Sequence, residues 1–397
     1  PARHGAHPNH SQVKPGTRFL LPVLQQLGYQ VLVFGKIGHG RTTLPGVDHN
    51  SPSPRLMSRN VDAWFKSNKV NGPICLLVGD RRPHVSWIEK ATYDPDKVTL
   101  PPHFIDTPET RSHWARYLTD ITGMDEEMGR IHDIAVREFG EDFLFLFTSD
   151  HGGQWPMGKW NLYDAGTRIP LIVSWPGRIK PGRRTEAMVS WVDLLPSLID
   201  VAGGEVPEEI DGRSFAKVLS GGSPAHRSRI FTTHTGDGAM NIFPIRSVRS
   251  GRYKYIHNLR PDAWHTNHSD RHRKDGAGAF WDSWDAAAEK DPKAAAIVKA
   301  YYTRPEFEFF DLEADPLELN NLVEGPEWRP EVEKLRGELA AWTKAQGDDL
   351  QPHRDVYPVD KPLPVIPPKK NRARGKKAKK PKPNVVIMLA DDLVRDS

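Results

Sequence analysis

Five short runs of nearly unbroken apolar residues constrain this chain most: 31–34, 73–79, 143–147, 169–174 and 385–390. A strand with one wet face alternates apolar and polar residues. A strand buried on both faces does not, and such strands belong to sheets covered by helices on both sides. Helices are legible between the runs. Phe19, Leu20, Val23, Leu24 and Leu27 keep helical spacing until Gly28 stops them. Over 108–139, Trp114, Tyr117, Ile121, Met124, Met128, Ile131 and Ala135 recur by threes and fours. Thr107 can cap that helix, Pro108 suits its first turn and Gly140 ends it. Residues 192–202 predict a third helix, closed by Gly203. The fold class that follows is α/β with a mostly parallel central sheet.

After about residue 225 the pattern changes. Residues 245–249 and 252–256 flank Ser250-Gly251 and predict an antiparallel hairpin. Residues 307–312 predict a further strand, and Val332, Leu335, Leu339 and Trp342 stripe a last helix. The expected organisation is a main domain over 1–225, a smaller α+β subdomain over 226–345, a Pro- and Lys-rich linker over 346–383, and one more strand of the main sheet within 384–397.

Composition excludes several classes. Twelve Trp and fifteen Phe give the chain too much apolar surface for disorder. No apolar run approaches the ~20 residues a membrane helix needs. The single Cys75 excludes a disulfide framework and a cysteine-rich zinc site, and its place in an apolar run makes it a core residue. The net charge of +4 is misleading, because residues 361–383 hold ten Lys or Arg and no acid; removing those ten leaves −6. The basic stretch is a solvated linker by composition. Neither nucleic acid nor membrane is expected as a partner.

Two of the apolar runs share a design. Residues 385–390 deliver Asp391 and Asp392; residues 143–147 deliver Asp150 and His151. In a parallel sheet the C-terminal strand edge is where ligands bind. Adjacent carboxylates repel one another unless a cation lies between them. Three carboxylates from two strands make an oxygen-rich site suited to Ca²⁺ or Mg²⁺ rather than Zn²⁺. Each acid could instead cap a following helix.

These and other stretches resemble the sulfatases of the alkaline-phosphatase superfamily: 382–393 (KPNVVIMLADDL), 28–40 (GYQVLVFGKIGHG), 83–87 (PHVSW), 147–153 (FTSDHGG), 158–170 (GKWNLYDAGTRIP), 189–202 and 310–322 (FDLEADPLELNNL). The hairpin 244–259 and residues 93–129 look most like the sulfamidases, the N-sulfoglucosamine sulfohydrolases. The resemblance implies an alkaline-phosphatase-like sandwich that hydrolyses sulfate esters or sulfamates of sulfated sugars such as glycosaminoglycan fragments. It implies Ca²⁺, in preference to Mg²⁺, held by Asp391, Asp392, Asp150 and His151. Lys36, His39 and Lys159 match the family's sulfate-holding residues, and His84 the histidine of a PH motif, with Ser86 where Pro is usual. An anion needs such cations, and a departing alcohol or amine needs a proton that a histidine can supply; His84 is the candidate acid. His234 and Arg260 are further expected substrate contacts. His257, His265, His268 and His272, with Arg260, Arg271, Arg273 and Lys274, read as a cationic rim for an anionic sugar, as a plain solvated loop or as a transition-metal site. The resemblance also implies an extracytoplasmic location.

One departure matters. The family's opening strand precedes a C/S-x-P-x-R stretch whose Cys or Ser becomes formylglycine. Here that strand is the last of the five runs, the motif order is a circular shift of the family's, and the nucleophile stretch is expected to be missing. Binding of a sulfated sugar without turnover is the expected behaviour. A phosphatase or phosphodiesterase of the same superfold, and a non-catalytic glycan binder, are the alternatives.

Overall fold

The computed structural model describes residues 2–6, 11–37, 44–53, 56–238, 241–274, 277–364 and the strand 388–390. Helix α1 (Leu20–Gln26) buries Leu21 and Leu24 and leads through Gly28 into β1 (Gln30–Gly35). Strand β2 (His49–Ser51), helix α2 (Met57–Ser67) and β3 (Ile74–Gly79) follow. Helix α3 (Pro108–Phe139) begins where Thr107 Oγ1 accepts a hydrogen bond from the Thr110 amide, 3.1 Å away, and ends at Gly140. Such a cap contributes about 1 kcal/mol. Then come β4 (Phe145–Ser149), α4 (Asp164–Thr167), β5 (Leu171–Ser174), α5 (Leu194–Val201) and α6 (Ala216–Leu219). The second half holds β6 (Ile230–His234), β7 (Ile245–Arg249), β8 (Tyr253–Asn258), α7 (His268–Arg271), α8 (Trp281–Ala288), α9 (Pro292–Tyr302), β9 (Phe307–Asp311), α10 (Arg329–Ala345) and β10 (Met388–Ala390).

The strands form two sheets. The first has the order β2-β1-β3-β10-β4-β5. It is parallel except at β5, which runs antiparallel to β4. Strand β10 therefore lies between β3 and β4, with Leu389 opposite Gly79 and Ala390 opposite Ser149. The second sheet, β6-β7-β8-β9, is wholly antiparallel and carries α10. Its hairpin closes at Ser250, whose amide donates to Tyr253 O at 2.7 Å.

Local differences from the sequence reading have local causes. Strand β4 starts at Phe145 rather than Phe143, and the register with β5 begins there, Phe145 opposite Ser174. Helix α2 escaped the reading although Met57, Val61, Trp64 and Phe65 keep helical spacing and are buried. Its N-cap is Leu56 in a left-handed conformation, a residue that gives no start signal. Helices α8 and α9 follow residue 226 in the chain, yet Trp281, Trp284 and Tyr301 pack with Trp87, Trp114 and Trp155 beside α3. The antiparallel sheet has its own cluster, with Val248, Tyr255 and Phe309 against Val332, Leu335 and Leu339 of α10. Cys75 lies in β3 against the first core, and burial pushes its thiol up to about 12. Among the described residues no helix is long and apolar enough to cross a membrane.

Candidate functional site

The site is built first by backbone meeting backbone at strand ends. A Cβ on Gly79 would lie 1.9 Å from Lys36 O, and one on Gly35 would lie 2.2 Å from Gly79 O. Only glycines let β1 and β3 cross this closely, and the Lys36 amide then donates to Gly79 O at 2.7 Å. Lys36 and Asp80 thus leave the sheet side by side at its C-terminal edge. Asp80 is buried and pairs with Arg82 at 2.6 Å. The loop beyond carries His84, whose Nδ1 is 2.6 Å from Val85 O. A carbonyl only accepts, so Nδ1 holds the proton in the neutral ring and Nε2 gains one on protonation. Arg81 Nη2 donates to the same carbonyl at 2.7 Å.

Strand β4 ends at the same edge. The His151 amide donates to Asp150 Oδ1 at 3.0 Å, and its Nε2 is 3.4 Å from Asp150 Oδ2. Ser149 Oγ donates to His151 O at 2.7 Å and fixes the turn. Asp150 and His151 offer carboxylate oxygen and imidazole nitrogen on one cleft wall. The Asp150 carboxylate is the oxygen donor a Ca²⁺ site needs, whereas the His151 imidazole is a donor that softer metals prefer. Among the described residues no group of three or more metal-ligand side chains occurs. Asp391, Asp392 and His39 lie outside the described residues. The sequence places Asp391 directly after Ala390, the partner of Ser149, just as Asp150 directly follows Ser149.

A second backbone crossing places Lys159. The Gly152 amide donates to Gly166 O at 3.0 Å, and the Lys159 amide to Gly153 O at 2.9 Å. A Cβ on Gly152 would lie 1.8 Å from Ala165 O. Segment 150–153 is thereby tied to 158–166, and the buried Lys159 lines the same cleft as Lys36, His84, Asp150 and His151. Its Nζ lies 5.0 Å from the centre of the Trp160 ring.

The far side of segment 158–167 is held by ions that the sequence reading missed. Lys254 of β8, 1% exposed, lies 2.6 Å from Asp164 Oδ1 and 2.8 Å from Glu318 Oε1. Arg249 reaches Asp164 at 3.2 Å, and the Asp164 amide donates to Glu318 Oε2. Burial pushes the Asp164 carboxyl up, but Lys254 and Arg249 outweigh it and hold it at about 2. Burial also dominates at Glu318, where Lys254 offsets it only in part and Asp164 adds to it, so Glu318 stands at about 7. Tyr163 donates to Glu308 at 2.6 Å and accepts from Arg304 at 2.6 Å. These partners are 64 (Lys254 to Glu318) to 154 residues apart, a separation over which no local spacing signals a contact.

Other expected residues fall differently. His234 ends β6 on the cleft wall, but its ring packs on Phe243 at 4.9 Å and burial pushes its pKa down to about 3. Its Nε2 is shut off from solvent, so His234 offers a ligand no charge. Arg260 does not reach the cleft; it pairs with Asp262 at 2.7 Å on the surface. The expected histidine loop divides in two. His257 is in β8, 3.7 Å from Glu306, and His265 is buried against Phe243 at 4.3 Å, whereas His268 and His272 line the cleft. The spacing C/S-x-P-x-R does occur once, at Ser174-Trp175-Pro176-Gly177-Arg178. Ser174 pairs with Phe145 at the start of β4, so it lies at the opposite sheet edge from Asp150.

Comparison with known proteins accords with this geometry. A family model described as Sulfatase matches residues 42–204, and one described as N-sulphoglucosamine sulphohydrolase, C-terminal, matches 153–275. An ulvan-active sulfatase of Formosa agariphila is 26% identical over 387 residues, 94% of this chain and 72% of that protein. The N-sulphoglucosamine sulphohydrolase of Homo sapiens is 30% identical over 269 residues, 64% of this chain and 52% of that protein. The chain thus spans about half the length of the human relative. Among solved structures, one in complex with its substrate D-glucosamine-2-N,6-O-disulfate aligns with a TM-score of 0.60 at 17% identity, over 86% of this chain and 85% of that one. The phosphonate monoester hydrolase of Silicibacter pomeroyi aligns with a TM-score of 0.63 at 18% identity, over 88% and 84%. Identities this low establish the shared fold.

Proposed function

On the premise that this chain belongs to the sulfatase family, we propose that its cleft is a hydrolase site for a sulfate ester or sulfamate on a sugar. The observation that carries the reading is that Lys36, Lys159, His84, Asp150 and His151, from segments far apart in sequence, all line one large cleft. Lys36 and Lys159 bind and orient the anionic oxygens. His84, held through Nδ1 by Val85 O, presents Nε2 as the proton donor to the departing alcohol or amine. Asp150 and His151, with Asp391 and Asp392, would hold the Ca²⁺ that the resemblance implies, and the ion would supply Lewis-acid polarisation of the sulfate oxygens.

The attacking group is not among these residues. In the family it comes from C/S-x-P-x-R, and the one such string here, at Ser174, is across the sheet. The chain's own residues account for binding and leaving-group protonation. The test has two readouts on chain 1–397. Calorimetry should show glucosamine 2-N-sulfate binding and plain glucosamine not binding, with Lys159→Ala weakening the former by about ten- to a hundredfold, the size of a lost charge-assisted hydrogen bond. Equal affinity for the two sugars would overturn the reading. Sulfate release should stay near background; robust Ca²⁺-dependent release would show that another residue attacks, and the assignment of roles would fall.

A further inference from the structure

Residues 268–274 form a second wall of the cleft beside Lys159. The Trp160 ring stacks on His268 at 4.6 Å with 12° between planes, and His268 stacks on His272 at 4.7 Å. The segment is stiffly held. Asn267 and Asp270 cap α7 reciprocally, the Tyr301 hydroxyl donates to Asp270 Oδ1 at 2.6 Å, and the Gly278 amide donates to His272 O at 3.1 Å. Side chains displayed on a fixed segment lose little freedom when they bind.

The charges on this wall are not equivalent. Arg273 is neutralised by Asp282 and Asp285, at 2.7 and 2.5 Å. Among the described residues no carboxylate pairs with Arg271 or Lys274. Arg271 donates through Nη2 to Pro364 O, while its Nε is buried without a hydrogen-bond partner. The Arg271 side chain nonetheless lines the cleft, and a guanidinium with no carboxylate partner can pair with an anion there. Lys274 is exposed on the same wall.

We infer that Arg271 and Lys274 form a second anion subsite, set off from Lys159 by the Trp160–His268–His272 stack, for a carboxylate or second sulfate on the sugar. The inference rests on the proposed function and narrows its substrate class to sugars with two anionic groups. The stack spaces the subsite from Lys159, so the two groups would be held apart on one ring or on neighbouring rings.

Three calorimetric probes test it on chain 1–397 at low salt: glucosamine 2-N-sulfate, glucosamine 2-N,6-O-disulfate, and a disaccharide of a uronic acid with glucosamine 2-N-sulfate. Wild type should bind at least one dianionic probe about tenfold more tightly than the monosulfate. The probe preferred tells a second sulfate from a carboxylate. Arg271→Gln with Lys274→Gln should abolish the preference and leave the monosulfate affinity unchanged. Lys274→Gln alone, at an exposed position, should remove part of it without altering the melting temperature. Equal wild-type affinity for all three probes, or a preference that survives the double substitution, overturns this inference and leaves the proposed function standing. Failure of every sulfated probe to bind overturns both.

Discussion

At the end of the parallel sheet, functional side chains leave the chain where backbone touches backbone: Gly35 against Gly79, and Gly152 against Ala165. Across the cleft, the antiparallel sheet holds its side by buried charge, with Lys254 between Asp164 and Glu318. The first kind of joint is rigid because no atom can be added to it. The second depends on compensation, since a buried ion is tolerated only while its partners remain. A cleft built from both should break in two distinguishable ways.

The largest break should come from the ionic side. Lys254→Met removes the cation between two carboxylates and leaves Asp164 to Arg249 and the more exposed Arg168. Breaking a buried pair from one side costs about 3–5 kcal/mol. Urea unfolding should show it as a lower midpoint at an unchanged slope. A loss below about 1 kcal/mol would mean that the network does not hold segment 158–167.

The glycine side should break with a different signature. In Gly152→Ala the new Cβ meets Ala165 O, a backbone atom that cannot rotate away. Overpacking of this kind costs up to about 3 kcal/mol. Because the same contact places Lys159, sulfate affinity should fall as well. Gly129→Ala is the control: it lies in α3, where an added methyl would meet nothing within 4 Å, so it should be neutral or stabilising by up to ~1 kcal/mol. Equal behaviour of the two variants would refute the role of close approach.

This contrast also explains what was legible in the sequence. Apolar runs, Gly28, Gly140 and the acids at strand ends are local signals, and they located β1, β3, α3 and the Asp150–His151 turn. Lys36, His84 and Lys159 were found by resemblance, and they line one cleft. The lock at Lys254 was invisible, because a lysine in the middle of an alternating strand looks like a solvent-facing residue. Only the fold brings Asp164 and Glu318 to it. Arg260 shows the reverse error: a cation near candidate residues in sequence was assigned to the cleft, but Asp262, two residues on, already neutralises it.

The metal reading sharpens the comparison at the parallel edge. If Asp150 and His151 hold Ca²⁺ there, a hundredfold excess over the dissociation constant should stabilise the fold by about 2.7 kcal/mol. Asp150→Asn should abolish the shift in melting temperature on adding Ca²⁺, and chelator should have no effect on that variant. Glu318→Gln, in the ionic lock, should keep the shift. A Ca²⁺ response that survives Asp150→Asn would place any ion elsewhere.

The smallest effect separates the two sides by pH. Glu318 stands at about 7 in the folded protein, above its ordinary 4.5, so between these values the folded state binds more protons than the unfolded. Its contribution to stability is therefore fully present below pH 4.5 and is lost as pH rises through 7. Asp164, at about 2, acts in the opposite sense: its contribution is present above pH 3.8 and is lost as pH falls through 2. His234, held neutral at about 3, favours the folded state as pH rises from 3 to 6.5. Raw stability curves thus mix opposing slopes, and the difference between wild type and Glu318→Gln isolates one of them. That difference should change by on the order of 2 kcal/mol between pH 4.5 and 7, with the wild type losing stability relative to the variant as pH rises. Chemical unfolding at closely spaced pH values measures it. A flat difference would mean that Glu318 is already ionised beside Lys254, and that the cation compensates both carboxylates in full.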